Sequence, residues 1–202
     1  MPNWNFTTYH VTGDPKKCLD LYKKIKSLDE METSLCENGF GKLWCGNLVH
    51  LLGGDETDAE NLYCRGQIVI YELKPNFDVT FSVESAWGEL SQFRHFIEDR
   101  IGGIKIYHIS EEPGIQIFVS NDIEGKYFKY NKYYLDICDD EKEIYATDYF
   151  ADLKGAKKLL NKVYKGVRFG KTFEEIKAKI AELEENNEDI CICFEKFKLI
   201  DN

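Results

Sequence analysis

The sequence predicts an α+β fold, and three observations carry that reading. Phe77, Val79, Phe81 and Val83 alternate with Asp78, Thr80, Ser82 and Glu84, the two-residue period of a half-buried strand. Apolar residues recur at helical spacing in Cys18, Leu21, Tyr22 and Ile25, and again in Leu90, Phe93, Ile97 and Ile101. Twelve Tyr, thirteen Phe and three Trp supply the aromatic side chains that suit broad sheet surfaces.

The elements follow in order. A first strand is expected over Trp4–Thr12, ended by Gly13. Asp14 then caps a helix that starts at Pro15, where the missing N–H costs nothing, and runs to Lys26. Residues 27–62 read as an insert rich in Gly and turn-formers, with a short apolar element at 43–52 and an exposed acidic loop at 55–61. Gly66–Leu73 is a strand, Pro75-Asn76 a turn, and 77–84 the alternating strand. A helix over Gly88–Ile101 stops at Gly102-Gly103. Strands 104–110 and 115–120 flank a Glu111-Glu112-Pro113-Gly114 hairpin. A second hairpin spans 126–138 and 142–147 over an acidic tip. Helices at 148–165 and 172–186 follow, the latter with Thr172 and Glu175 as a capping box, and a strand over Asp189–Leu199 closes the chain.

Through residue 110 the order is β-α-(insert)-β-β-α-β, the split β-α-β or ferredoxin-like arrangement. Antiparallel strands extend the sheet, and helices cover one side. The expected organisation is a ferredoxin-like domain at 1–147 with its insert at 27–62. Residues 148–202 add helices and a final strand packed on the same domain.

The residues Met1-Pro2-Asn3-Trp4, followed by a strand ending Val11-Thr12-Gly13, resemble the start of YubB-like proteins. The stretch FSVESAWGEL, with a helix after it, and IKIYHISEEPGIQIFVSND are similar to that family's middle region. The resemblance spans roughly residues 1–147. Where the family motif often continues with Cys, this chain has Asn5. The resemblance implies a ferredoxin-like fold and a setting on plasmids, phages or integrated elements. It implies no reaction and no catalytic residue.

Composition narrows the function classes. The 26 basic and 36 acidic residues leave a net charge of −10, which favours solubility and argues against a general nucleic-acid coat. No basic-then-apolar leader opens the chain and no apolar run approaches membrane length, so no membrane association is expected. Seven scattered Cys read as reduced thiols in a cytoplasm.

Several constellations invite chemistry. The crossover helix makes strands 77–84 and 104–110 parallel, so Glu84 and Glu111/Glu112 fall at the same end of the sheet. With Trp87 as a wall, such carboxylates form an acid–base cleft. The plainer reading has Trp87 packing the helix start, Glu84 or Ser85 capping it, and Glu111-Glu112 decorating a turn. Cys191 and Cys193 share a strand face and read as small core residues, and no metal site is expected. The Asp139-Asp140-Glu141 region reads as a solvated hairpin tip. His108, on a face with Ile104 and Ile106, reads as a satisfied structural residue. No phosphate-loop or nucleophile motif occurs, and no cofactor is implied. Residues 154–171 are basic; Lys158 and Lys162 line one helical face with Lys154 and Lys165, suited to phosphates or simply to solvent.

The leading expectation is a cytoplasmic, non-catalytic accessory factor of a mobile element that binds an unidentified protein partner. A sharper form is an acidic inhibitor of a host defence nuclease. The rivals are a small enzyme using carboxylates near Trp87 and a nucleic-acid binder using 154–171.

Overall fold

The computed structural model describes residues 3–201. The first two residues of the Met1–Trp4 motif lie outside the described residues. The chain divides into one unit running to Asn121 and a second from Asp122 to Asp201. The expected boundary at 147 thus falls inside the second unit, because hairpin 133–150 shares a sheet with the C-terminal strand.

In the first unit, β1 (Trp4–Gly13) leads into α1 (Pro15–Glu30). The Asp14 carboxylate accepts from the N–H groups of Lys16 and Lys17, satisfying two of the helix's orphan donors. The helix runs past Lys26 because Leu28 continues the stripe Cys18, Leu21, Ile25, all buried. The insert holds α2 (Cys45–Leu51) and α3 (Glu56–Asn61). The acidic stretch 55–61 is therefore not a loop. Asp55 and Asp58 form a reciprocal capping box, and the first-turn carboxylates suit the positive end of a helix.

Next come β2 (Gly66–Leu73), β3 (Val79–Ala86), α4 (Ser91–Ile101), β4 (Ile104–Glu112) and β5 (Ile117–Ser120). Gly102 and Gly103 both adopt positive φ, which ends α4 and starts β4 without a Cβ clash. Within this unit the strands are ordered β2-β3-β1-β4-β5, and every one of these pairings is antiparallel. Tyr9 and Val11 of β1, Val79, Phe81 and Val83 of β3, and Ile106 of β4 point to one face and meet α1, α2 and α4 in a dry core.

In the second unit, β6 (Tyr133–Asp139) is central in the order β7-β6-β8, with β7 (Ile144–Phe150) and β8 (Ile190–Lys196) antiparallel to it. A two-residue strand, β9, follows at Lys198–Leu199. Helices α5 (Leu153–Val163) and α6 (Phe173–Glu185) cover one face over Leu135, Ile137, Ile192 and Phe194. The Thr172/Glu175 capping box is present. Cys191 and Cys193 are not core residues. Strand alternation turns Ile190, Ile192 and Phe194 toward the helices and both thiols to the other face, where Cys191 is exposed. Asp139, at the acidic tip, is not solvated either: it is buried and pairs with the Lys142 ammonium at 2.7 Å. Burial pushes its carboxyl up, but the two hydrogen bonds from Lys142 outweigh this and hold its pKa below the ordinary value.

Among the described residues no helix is long and apolar enough to cross a membrane.

Candidate functional site

Glu84 and Glu111 stand opposite the same residue. Phe6 of β1 pairs with Glu84 on one side and Glu111 on the other. Opposed residues share a face, so Gln67, Glu84, Phe6 and Glu111 form one row on the face away from the helices. Two strand spacings separate the carboxylates' backbones, roughly 9–10 Å, with the Phe6 ring between them. That is too far for two carboxyls to share one proton, which needs them about 3 Å apart. Glu84 accepts a hydrogen bond from Gln67 Nε2 at 3.4 Å.

Glu112 does not join them. One residue further along β4, it points to the opposite face. There it is 3% exposed and accepts from the N–H groups of Gly114 and Ile115, closing a one-turn 3-10 segment at Pro113–Ile115. Trp87 is half exposed. Neither Glu84 nor Ser85 caps α4, whose N-cap is Leu90. Ser85 Oγ instead donates to the Gly88 carbonyl. Lys158 and Lys162 lie on α5 in the second unit, both exposed.

The first unit gathers other side chains at the end of the sheet where β1 and β2 begin and β3 finishes. Trp87 N–H donates to the Asn3 carbonyl, Ala86 pairs with Trp4, and Ala86 N–H donates to the Arg65 carbonyl. Trp4 meets Phe40 edge to face at 6.3 Å. Trp44 bridges to Gln67, the residue that holds Glu84, and its indole N–H donates to the Cys64 carbonyl. The Trp44 ring lies so flat on the chain that a Cβ at Gly46 would come within 2.3–2.5 Å of it.

Beside these rings is an open cavity of about 420 Å³, within the range of ligand sites. Phe40, Trp44 and Tyr63 form its aromatic walls. Its charged groups are Glu37, Glu56 and Glu60 against the single cation Arg65. Two exposed aromatics here hold left-handed backbone: Tyr63 at φ 50° and Trp87 at φ 75°, with exposures of 68% and 50%. A bulky side chain at positive φ is strained, and such strain concentrates at working surfaces.

The insert residues of this site were not legible as such in the sequence. Aromatics and acids scattered over 37–65 have no periodicity that brings them together; α2 does so by packing on β2, and α3 by packing on α2.

Beneath the sheet's other face runs a buried polar network. Asn5, at the motif's variant position, donates to the Glu111 carbonyl at 3.0 Å and accepts from Thr7 and Ser110. Glu89 accepts from the Tyr9 hydroxyl and from Arg94 Nε, both at 3.1 Å, and Arg94 reaches Glu98 at 3.8 Å. Burial raises the Glu89 pKa, with Arg94 working against it. His108 is fully buried, yet neither ring nitrogen has a hydrogen-bond partner, so it is not the satisfied residue expected of it. Burial, then the Arg94 charge, lowers its pKa to about 3. Arg94 and His108 are buried within this network, while the Glu89 and Glu98 carboxylates stay partly accessible.

Among the described residues no group of three or more His, Cys, Asp or Glu side chains is placed to hold a metal ion. A scan of protein-family models, a search of curated proteins and a search of solved structures each gave no match to this chain.

Proposed function

We propose that this protein is a non-catalytic binding factor that captures basic side chains of a protein partner on the aromatic–acidic end of its first unit. One observation carries the reading: Trp4, Phe40, Trp44, Tyr63 and Trp87 converge with Glu37, Glu56, Glu60 and Glu84 at one sheet end. A guanidinium or ammonium gains both from a ring face and from a nearby carboxylate, and Trp and Tyr are the residues that anchor protein interfaces. The strained backbone of Tyr63 and Trp87 holds two such rings outward.

The order β2-β3-β1-β4 with its two crossover helices supports reading this unit as ferredoxin-like, and the sequence resemblance supports a YubB-like accessory factor of a mobile element acting in the cytoplasm. In that setting a nucleic-acid enzyme of the host, which must present a basic face, is the partner class that fits.

The test is calorimetric titration with an arginine-rich peptide and an aspartate-rich peptide of equal length. The proteins are wild type and a Tyr63→Gly/Trp87→Asn double variant, which keeps the net charge. We expect only the basic peptide to bind, and the variant to bind it at least tenfold more weakly. Equal binding of both peptides would sink the reading by showing no selection for cations, and unchanged affinity in the variant would sink it because bulk negative charge alone would then account for the binding. Cross-linking a tagged protein to its partner in a bacterial host, through a photoreactive group at Tyr63, identifies the natural ligand.

A further inference from the structure

The face of the second unit's sheet that α5 and α6 leave uncovered carries three free thiols. On β6, Cys138 lies between Tyr145 of β7 and Cys191 of β8 in the strand register. Cys138 and Cys191 are thus directly opposed across an antiparallel pairing, and opposed residues point to the same face. Cys193 stands two residues further along β8, on that face too, opposite Asp136. Cys191 is exposed, and Cys138 and Cys193 are half-buried.

Geometry singles out one pair. Directly opposed residues of an antiparallel ladder have Cα atoms about 4.5 or 5.5 Å apart, depending on whether they exchange hydrogen bonds. Both values lie inside the roughly 4.4–6.8 Å that a disulfide spans. Cys191 and Cys193, two residues apart on one strand, are separated by about 6.8 Å, at the limit of that range. The diagonal from Cys138 to Cys193 is about 7–8 Å and lies beyond it. Burial also raises the Cys193 thiol to about 12, so it stays protonated.

The two opposed thiols differ in access. Cys191 is the one a solute reaches. Cys138 Sγ donates to the Asp140 carboxylate at 3.7 Å. Partial desolvation, and then that carboxylate, push the Cys138 thiol up, so it keeps its proton at rest.

We propose that Cys138 and Cys191 form a cross-strand redox site that exchanges with low-molecular-weight disulfides, and that its oxidised form latches edge strand β8 to β6. The Cys191 thiolate attacks one sulfur of the small disulfide RSSR; an S–S bond forms to Cys191 and the first RS⁻ leaves. Cys138 then attacks the Cys191 sulfur, its proton passing to Asp140 and on to solvent, and the second RS⁻ leaves. The protein gives up two protons and two electrons, and one RSSR becomes two RSH. A dithiol reductant reverses both steps. The new bond closes the chain from 138 to 191 around α5 and α6 and ties an edge strand to the centre of its sheet. Disulfides of this inducible kind serve as redox sensors.

The experiment treats the intact chain with oxidised glutathione, blocks remaining thiols with N-ethylmaleimide, digests without reduction and maps the peptides by mass spectrometry. Wild type should give an intrachain link between 138 and 191 that dithiothreitol reverses, and Cys193→Ser should keep it. Cys138→Ser, which lacks the second thiol, should retain a glutathione adduct at Cys191. Cys191→Ser should form no link. These thiols lie outside the core, so each variant should keep the wild-type circular dichroism spectrum. Cys36, half-buried in the first unit, is read separately in the map. Amide exchange across β8 should slow at least about tenfold on oxidation of wild type but not of Cys138→Ser. In wild type, a lasting adduct at Cys191, a link to Cys193, disulfides only between chains, or unreacted thiols at both positions overturns the redox site. Unchanged β8 exchange in the linked protein overturns the latch.

Discussion

His108 makes the stability of the first unit sensitive to mild acid. Its ring is fully buried on β4, 6.3 Å from the Tyr9 ring, with both nitrogens unpaired. An ordinary imidazole takes a proton near 6.5; this one holds off to about 3, because burial and then Arg94 disfavour the cation. Between those values the unfolded chain carries one proton that the native protein lacks. Stability therefore falls as pH drops through that window, by about 1.4 kcal/mol per pH unit. The whole window amounts to about 5 kcal/mol, and the part between pH 6.5 and 5.0 to about 2 kcal/mol. Above pH 6.5 both states are neutral at this group and it contributes no slope. Against a typical domain stability of about 5–15 kcal/mol, this is a large share. The assay is urea unfolding of wild type and His108→Leu at pH 7.5, 6.0 and 5.0, followed by tryptophan fluorescence. All three Trp, at 4, 44 and 87, lie in the first unit, so the signal reports that unit alone. The variant should lose about 2 kcal/mol less than wild type on going to pH 5.0. At pH 7.5 it should be at least as stable, since each unpaired buried nitrogen costs about 1–3 kcal/mol. Glu89, whose raised pKa acts with the opposite sign, cancels in the difference between the two proteins. Parallel stability curves for the two proteins across the window would refute the reasoning.

Other expectations rest on separate contacts. Trp87→Asn should raise stability by about 0.5–1 kcal/mol, because Asn tolerates the left-handed backbone and the Trp87 ring is half exposed; a fall of that size in a denaturant titration would contradict a strained, outward-facing Trp87. Arg94→Leu should cost about 3–5 kcal/mol by leaving Glu89 and Glu98 without their buried cation, again read by urea unfolding. Gly46→Ala should cost about 1–3 kcal/mol and shift the Trp44 emission, as the new methyl has no room beside the indole. Thr172→Ala removes one half of the α6 capping box and should lower stability by about 1 kcal/mol, measured as a decrease in the denaturation midpoint of the second unit by circular dichroism.

Much of the local structure was legible because local chemistry decides it. Asp14-Pro15, Thr172/Glu175 and Gly102-Gly103 fix helix ends by capping and by φ, which involve neighbours in sequence. The bounds of β2 match its expected span, since Gly66 and the Pro75-Asn76 turn bracket it. The same rule of alternation misassigned Cys191 and Cys193: it correctly placed both on one face, but a period of two does not say which face the helices cover. The capping signal at Asp55 is weak in sequence, because an Asp at the third helical position substitutes for the usual Glu or Gln.

Sequence by itself determined the α+β class, the crossover that makes β3 and β4 parallel, and hence the common end at which Glu84 and Glu111 arrive. Tertiary structure alone decided that β1 lies between them, that Phe6 separates their side chains, and that Glu112 turns inward to close its own turn. It alone brought the insert's Phe40 and Tyr63 toward Trp4 and Trp87, and it alone left His108 buried without a partner. The division has one physical cause. Backbone preference and periodicity act over a few residues, whereas strand order, burial and the pairing of polar groups are settled by contacts between segments distant along the chain.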